Sequence, residues 1–246
     1  MSANHAAFNL IFRFVENYIS PVAGRISSQR HVMAIRDGFI SAMPFMIVGS
    51  FLLVFAYPPF SPDTTWGFAR AWLDLAKEFE GRILTPFDMT MGIMSIYICA
   101  AIAYNLGKHY EKTNQLDPFM CAMLSIMAFL LVAAPKTNGN LPVDSLGGTG
   151  IFTAILVAVY CVEMMRFLKA HNIGIRLPDQ VPPMIKNSFD LLIPVLVVVL
   201  TLYPLSLVIQ SQFDMLIPQA IMAIFKPLVS AADSLPAILL AVLIGH

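Results

Sequence analysis

Four carboxylates stand at or inside long apolar stretches of this 246-residue chain: Asp37, Asp88, Glu163 and Asp190. An ionisable group in hydrocarbon costs a few kcal/mol or more, so such residues are the first places to look for a proton relay or a substrate site. Asp37, Asp88 and Asp190 each fall at the expected start of an apolar helix, where a carboxylate reaches water and favours the positive end of the helix dipole. Glu163 lies deeper, but Arg166 follows three residues on along the same helical face, and a local ion pair accounts for it. No second catalytic group accompanies any of the four. A Ser/His/Asp set, an H-E-x-x-H run and a carboxylate pair are all missing, and Gly147-Gly148-Thr149-Gly150 lacks the Lys and the spacing of a phosphate loop. His5, His31, His109 and His171 lie in hydrophilic segments and read as solvated. Cys99, Cys121 and Cys161 have neither C-x-x-C spacing nor a neighbouring His, so they read as buried thiols and not as a disulfide or zinc site. The expectation is no catalytic residue, no metal and no cofactor.

The elements that must position these groups are read from the charge pattern. Only 12% of the residues are charged, 58% are hydrophobic, and 15 Lys+Arg balance 15 Asp+Glu. Mean hydropathy is +0.74. The charges are unevenly spread: residues 38–62, 89–107, 118–135, 145–162, 191–213 and 234–246 hold none. A bilayer core about 30 Å thick takes roughly 17–25 apolar residues per helix, a length that the first five windows reach and the last does not. The fold class expected is an all-α integral membrane protein with five complete transmembrane helices, a truncated sixth, and interfacial amphipathic helices. Zero net charge and no basic block leave no footprint for nucleic acid.

The spans are expected at about 37–57, 88–107, 118–134, 149–169 and 189–210. Amphipathic helices are expected at 6–20, within 60–84 (Phe68, Trp72, Leu75 and Phe79 on one face), and around Ile217, Ile221, Ile224, Phe225 and Leu228. Small residues in the second span, Cys99, Ala100, Ala101 and Ala103, suit close helix packing. Ten of the 15 Lys and Arg fall on the side of the N-terminus, which the positive-inside rule puts in the cytoplasm. The domain reading is a cytoplasmic amphipathic segment at 1–36, a five-span unit at 37–210, and an interfacial helix with the start of a cut sixth span at 211–246. Between spans four and five, IRLPDQVPPMIKNSFDLLIP (Ile175–Pro194) carries Pro178, Pro182 and Pro183, which exclude regular helix and hold a stiff path. Such a connector is either a pivot between helices or a docking surface, with Arg176, Asp179, Pro182 and Pro183 as candidate contacts.

This stretch, IRLPDQVPP…SFDLLIP, resembles the signature of the lactose/cellobiose/diacetylchitobiose group of integral-membrane IIC components of the bacterial phosphotransferase system. HVMAIRDGFISAMPFMIVGSF (His31–Phe51) and GIMSIYICAAIAYNLG (Gly92–Gly107) resemble that group's first two spans, and LPAILLAVLIGH (Leu235–His246) the start of its sixth. The resemblance implies a sugar permease of the bacterial cytoplasmic membrane. It would take a β-linked disaccharide such as cellobiose from outside and present it to a cytoplasmic IIB partner, whose phosphocysteine phosphorylates it. It also implies about ten spans, the first five forming a dimerisation scaffold and the later ones the sugar site. The family's main sugar-binding carboxylate and its Gly-Ile-His-Gly block lie past the last residue here. His246 precedes that block, so no sugar ligand is transferred. Two readings follow: the N-terminal scaffold portion of such a permease, not transport-competent alone, or a membrane interaction subunit that associates with a full-length IIC. An intramembrane enzyme built on Asp88 or Glu163 has nothing to support it.

Overall fold

A computed structural model describes residues 24–232, apart from 26, 136–138, 176–177, 179, 183–184 and 186–188. The expected helix at 6–20, the sixth-span start with His246, and Arg176, Asp179 and Pro183 lie outside the described residues. Among the described residues the regular elements are seven α-helices and one 3-10 turn: α1 Arg30–Ala56, α2 Gly67–Asp88, α3 Met94–Asn114, α4 Pro118–Ala133, the turn Gly148–Gly150, α5 Ile151–Ala170, α6 Leu192–Phe213 and α7 Ile217–Ala232.

Among the described residues, three segments are long and apolar enough to cross a membrane: Arg30–Ala56, Gly148–Ala170 and Leu192–Phe213. The fourth, α4, is apolar throughout but has 16 residues, about 24 Å of helix. Its start is built by sequence: Asp117 accepts from the backbone N–H of Phe119 at 2.9 Å and of Met120 at 3.3 Å, and Pro118 takes the first helical position. The second expected span is displaced. Residues 89–93 are turns, with the Thr90 and Gly92 amides bonded to the Phe87 carbonyl at 3.0 and 3.1 Å, and α3 begins at Met94 and runs on through Lys108, Glu111 and Lys112. Asp88 therefore ends α2 instead of opening a span. A charge-free window cannot mark that break, because Gly92 and Thr90 make turns without charge.

The packing centres on α3, which contacts α1, α4 and α5 most extensively. Its small residues do what their size allows: Cys99 and Ala103 are fully buried between neighbouring helices. Opposite them, α1 presents Ala34, Gly38 and Ala42, all buried. A Cβ on Gly38 would lie 2.9 Å from the Ile102 backbone nitrogen, so the two helices touch backbone to backbone there. Phe129, Ile98, Ile102, Leu106, Leu124 and Val162 fill the interior. Outward, α1 and α6 expose large apolar side chains such as Phe51 at 64% and Leu200 at 63%. On helices of this length such faces suit lipid, not water.

The amphipathic α2 lies across the far end of α1. It buries Ala69 and Ala76 and keeps its charged residues exposed. Trp72 donates to the Phe55 carbonyl at 3.2 Å, and Phe55, Phe60, Trp66 and Phe68 gather around it with ring centres 5.5–6.0 Å apart. The Tyr57 hydroxyl donates to Glu80 at 2.9 Å. That hydrogen bond, and then the carboxylate's charge, hold the phenol above its ordinary pKa. At the same end the Ser95 amide and hydroxyl bond the Leu146 and Gly147 carbonyls, fixing the glycine turn that starts α5. The amphipathic α7 packs on that start, with Phe225 stacked on Phe152 at 4.5 Å.

Candidate functional site

The chemistry-bearing residues gather at the other end of the bundle, where α1 starts, α3 and α5 finish and α6 starts. Glu163 stands two turns before the end of α5. Its Oε2 accepts from Arg166 Nε at 2.7 Å and Nη2 at 2.6 Å, the local pair that the i, i+3 spacing predicts. Its Oε1 accepts from the Tyr110 hydroxyl of α3 at 2.8 Å and lies 2.9 Å from His31 Nε2 of α1. Both guanidinium groups of Arg166 and Arg30 sit near the Tyr110 ring, 4.9 and 5.6 Å from its centre. One carboxylate thus ties three helices together. His31 corrects the expectation of a solvated imidazole: it is half-buried and bonded to a residue 132 positions away. No periodicity reaches that far, so neither His31 nor Tyr110 could be assigned to Glu163 from the sequence.

A second junction lies nearer the end of α5. Lys169 Nζ bonds Asp190 Oδ2 at 3.0 Å and the Gln115 backbone carbonyl at 2.9 Å. Here Asp190 does sit at the start of an apolar helix, two residues before α6. Lys169 in the last turn of α5 and Asp190 ahead of α6 each oppose the sign of the adjoining helix terminus. Both α3 and α5 stop at left-handed residues, Gln115 with φ 53° and Asn172 with φ 55°. Between these ends opens a cleft of about 400 Å³, lined among others by Asn114, Gln115, Lys169, Asn172, Ile175 and Asp190.

The proline connector leaves this cleft. Asn172 and Ile173 amides close the end of α5 on Lys169 and Leu168, and then two turns follow, Val181 N–H to Pro178 O at 3.2 Å and Ile185 N–H to Pro182 O at 3.0 Å. Pro182, one of the four candidate contacts, is exposed. Asp37 takes no part: its carboxylate pairs with the adjacent Arg36 at 2.8 Å on the surface. The three cysteines are buried and free. Among the described residues no group of three or more His, Cys, Asp or Glu could hold a metal. The arrangement can lock helices and present a surface.

Residues 36–245 match the family described as Phosphotransferase system, EIIC. Over 206 residues the chain is 36% identical to the cellobiose-specific EIIC component of a phosphotransferase system from Geobacillus stearothermophilus, covering 76% of this chain and 43% of that protein. The lactose-specific EIICB component from Streptococcus mutans is 34% identical over 219 residues, 87% of this chain and 37% of the relative. The crystal structure of the transporter ChbC, the IIC component from the N,N'-diacetylchitobiose-specific phosphotransferase system, superposes with a TM-score of 0.78 at 31% identity. It covers 94% of this chain and 55% of that one. The chain spans about two fifths of the length of the curated relatives it matches. Agreement in sequence over most of these residues, and in helix arrangement over nearly all of them, makes this chain a member of the EIIC family of phosphotransferase-system membrane proteins.

Proposed function

We propose that this chain forms the scaffold part of a sugar permease for β-linked disaccharides such as cellobiose, lying in the bacterial cytoplasmic membrane with its N-terminus inside. In this reading α1, α3, α4, α5 and α6 are the five spans of a unit over residues 37–210. Residues 1–36 form a cytoplasmic amphipathic segment and 211–246 an interfacial helix leading to a further span. The scaffold dimerises, and the end holding Arg30, Arg166, Lys169 and the proline connector faces the cytoplasmic IIB partner, with Arg176, Asp179, Pro182 and Pro183 as contacts. The sugar is bound by parts of the full-length transporter that these residues do not supply.

The observation that carries this reading is the superposition on ChbC, which takes in 94% of this chain but 55% of that one. The names of the relatives support the disaccharide class, and the EIICB name of the lactose relative supports a IIB partner. The test is expression of this chain alone in cells lacking their own β-disaccharide uptake. Membrane insertion and a homodimer in detergent are expected, with no phosphoenolpyruvate-dependent cellobiose phosphorylation above the empty-vector level. Cellobiose phosphorylation by this chain alone would overturn the scaffold reading, and a monomer the dimer. The small share of the relatives' length also favours a second reading, an interaction subunit for a full-length IIC. Co-purification with a co-expressed full-length relative and altered uptake support it; neither occurring removes it.

A further inference from the structure

Both tryptophans of this chain, Trp66 and Trp72, stand at the start of α2. Trp66 and Phe68 are 60 and 61% exposed and Leu75 is 55% exposed, so the described residues leave all three largely open. The spacing of Phe68, Trp72, Leu75 and Phe79 draws an apolar stripe along the helix, beside Ala69 and Ala76, which pack inward. Arg70, Asp74, Lys77 and Glu78 fall on the opposite side, and Arg82 closes the stripe with its guanidinium 5.5 Å from the centre of the Phe79 ring. Three sides of α2 thus differ: one rests on protein, one is charged, and one is apolar and open.

The open side is continuous with the lipid-facing surface of α1. That helix has 27 residues, about 40 Å of length against ~30 Å of hydrocarbon, so its ends reach the headgroup layers. Phe51 and Phe55, 64 and 54% exposed, lead along it to its last turn, and the Phe55 ring lies 5.7 Å from that of Trp72. The Trp72 N–H is already taken by the Phe55 carbonyl, so the indole can sit at apolar depth with no unpaired donor. Tryptophan at the end of a spanning helix is the composition of a membrane aromatic belt. We propose that α2 is a bilayer anchor: Trp66, Phe68, Trp72 and Leu75 seat at the boundary between headgroups and acyl chains and set the depth at which α1 ends. One such boundary covers the stripe and the α1 face at once. With three cations and four anions on α2, attraction to anionic lipid adds nothing, and the hold is apolar.

The test uses this full chain in phosphatidylcholine vesicles, where Trp66 and Trp72 supply all the tryptophan emission. The lipid is brominated either near the headgroup end of its acyl chains or near their methyl ends, and iodide probes from the water. The expected result is emission lost chiefly to the shallow bromines, with little loss to the deep bromines or to iodide, and the same pattern when phosphatidylglycerol is added. Trp66→Phe and Trp72→Phe, each leaving one reporter, should keep that pattern. Phe68→Asp with Leu75→Asp, at two exposed positions, should leave the helical circular dichroism unchanged, move the emission to longer wavelength and open it to iodide. In the unaltered chain, quenching by iodide places the stripe in water, chief loss to the deep bromines places it in hydrocarbon, and quenching by no probe places it under protein, a second copy included; each overturns the anchor. Quenching that requires phosphatidylglycerol overturns its apolar character, and a double variant quenched like the unaltered chain overturns the stripe as its cause. None of these outcomes depends on which sugar or partner the permease takes.

Discussion

Glu163 uses both carboxylate oxygens, one for Arg166 on its own helix and one for Tyr110 and His31 on two others. A hydrogen bond to a charged group contributes about 1.5–3 kcal/mol, so neutralising this carboxyl while keeping its shape should be felt in all three helices. Glu163→Gln is expected to lower stability by about 1–3 kcal/mol in unfolding followed by helical circular dichroism, whereas Asp37→Asn, in an exposed pair with its neighbour, should change it by less than about 0.5 kcal/mol. Equal effects from the two would show that the three-helix junction does not form. At this scale the sequence was legible as far as its local spacing reached. The Glu163–Arg166 pair follows from an i, i+3 interval, and Asp190 was placed at the head of an apolar helix. Tyr110 and His31 stand 53 and 132 residues from Glu163. Their partnership depends on how α1 and α3 cross α5, and no single-helix pattern carries that.

The elements were read from charge-free windows, and the reading succeeds where a window ends at a strong stop. Asp117-Pro118 starts α4 where expected, because a capping carboxylate and a proline both fix a first turn. It fails where a turn is made without charge or proline, as at 89–93, and so Asp88 moves from a span start to the end of α2. The small-residue argument for α3 holds, and its counterpart on α1 is Ala34, Gly38 and Ala42, small residues at every fourth position. Gly38→Val should force α1 away from the Ile102 backbone and cost about 1–3 kcal/mol, read as a lower detergent melting temperature. Gly81, in the middle of α2 with nothing within 4 Å of a Cβ, should behave oppositely. Gly81→Ala is expected to stabilise by about 0.5–1 kcal/mol, from helix propensity alone. A Gly38→Val protein that melts with the unaltered one would show that α1 and α3 are not in backbone contact.

At the scale of the whole molecule the two ends differ in kind. One gathers Arg30, Arg166 and Lys169 with the proline connector; the other gathers tryptophans, phenylalanines and the glycine turn. The sequence placed most of the basic residues on one side by counting, and the bundle brings several of them physically together at the helix ends that belong to that side. Family membership is carried by blocks spread along the chain; the proposed partner surface rests on the Ile175–Pro194 segment and on the side from which it is reached. The most direct measurement is therefore sidedness. In a chain with its three cysteines replaced by alanine, single substitutions Asp63→Cys, Leu141→Cys, Thr113→Cys and His171→Cys are exposed to a membrane-impermeant thiol reagent in intact cells. Labelling at 63 and 141 without permeabilisation, and at 113 and 171 only after it, is the predicted result. Labelling at 113 and 171 from outside would place the connector away from any cytoplasmic partner and contradict the account.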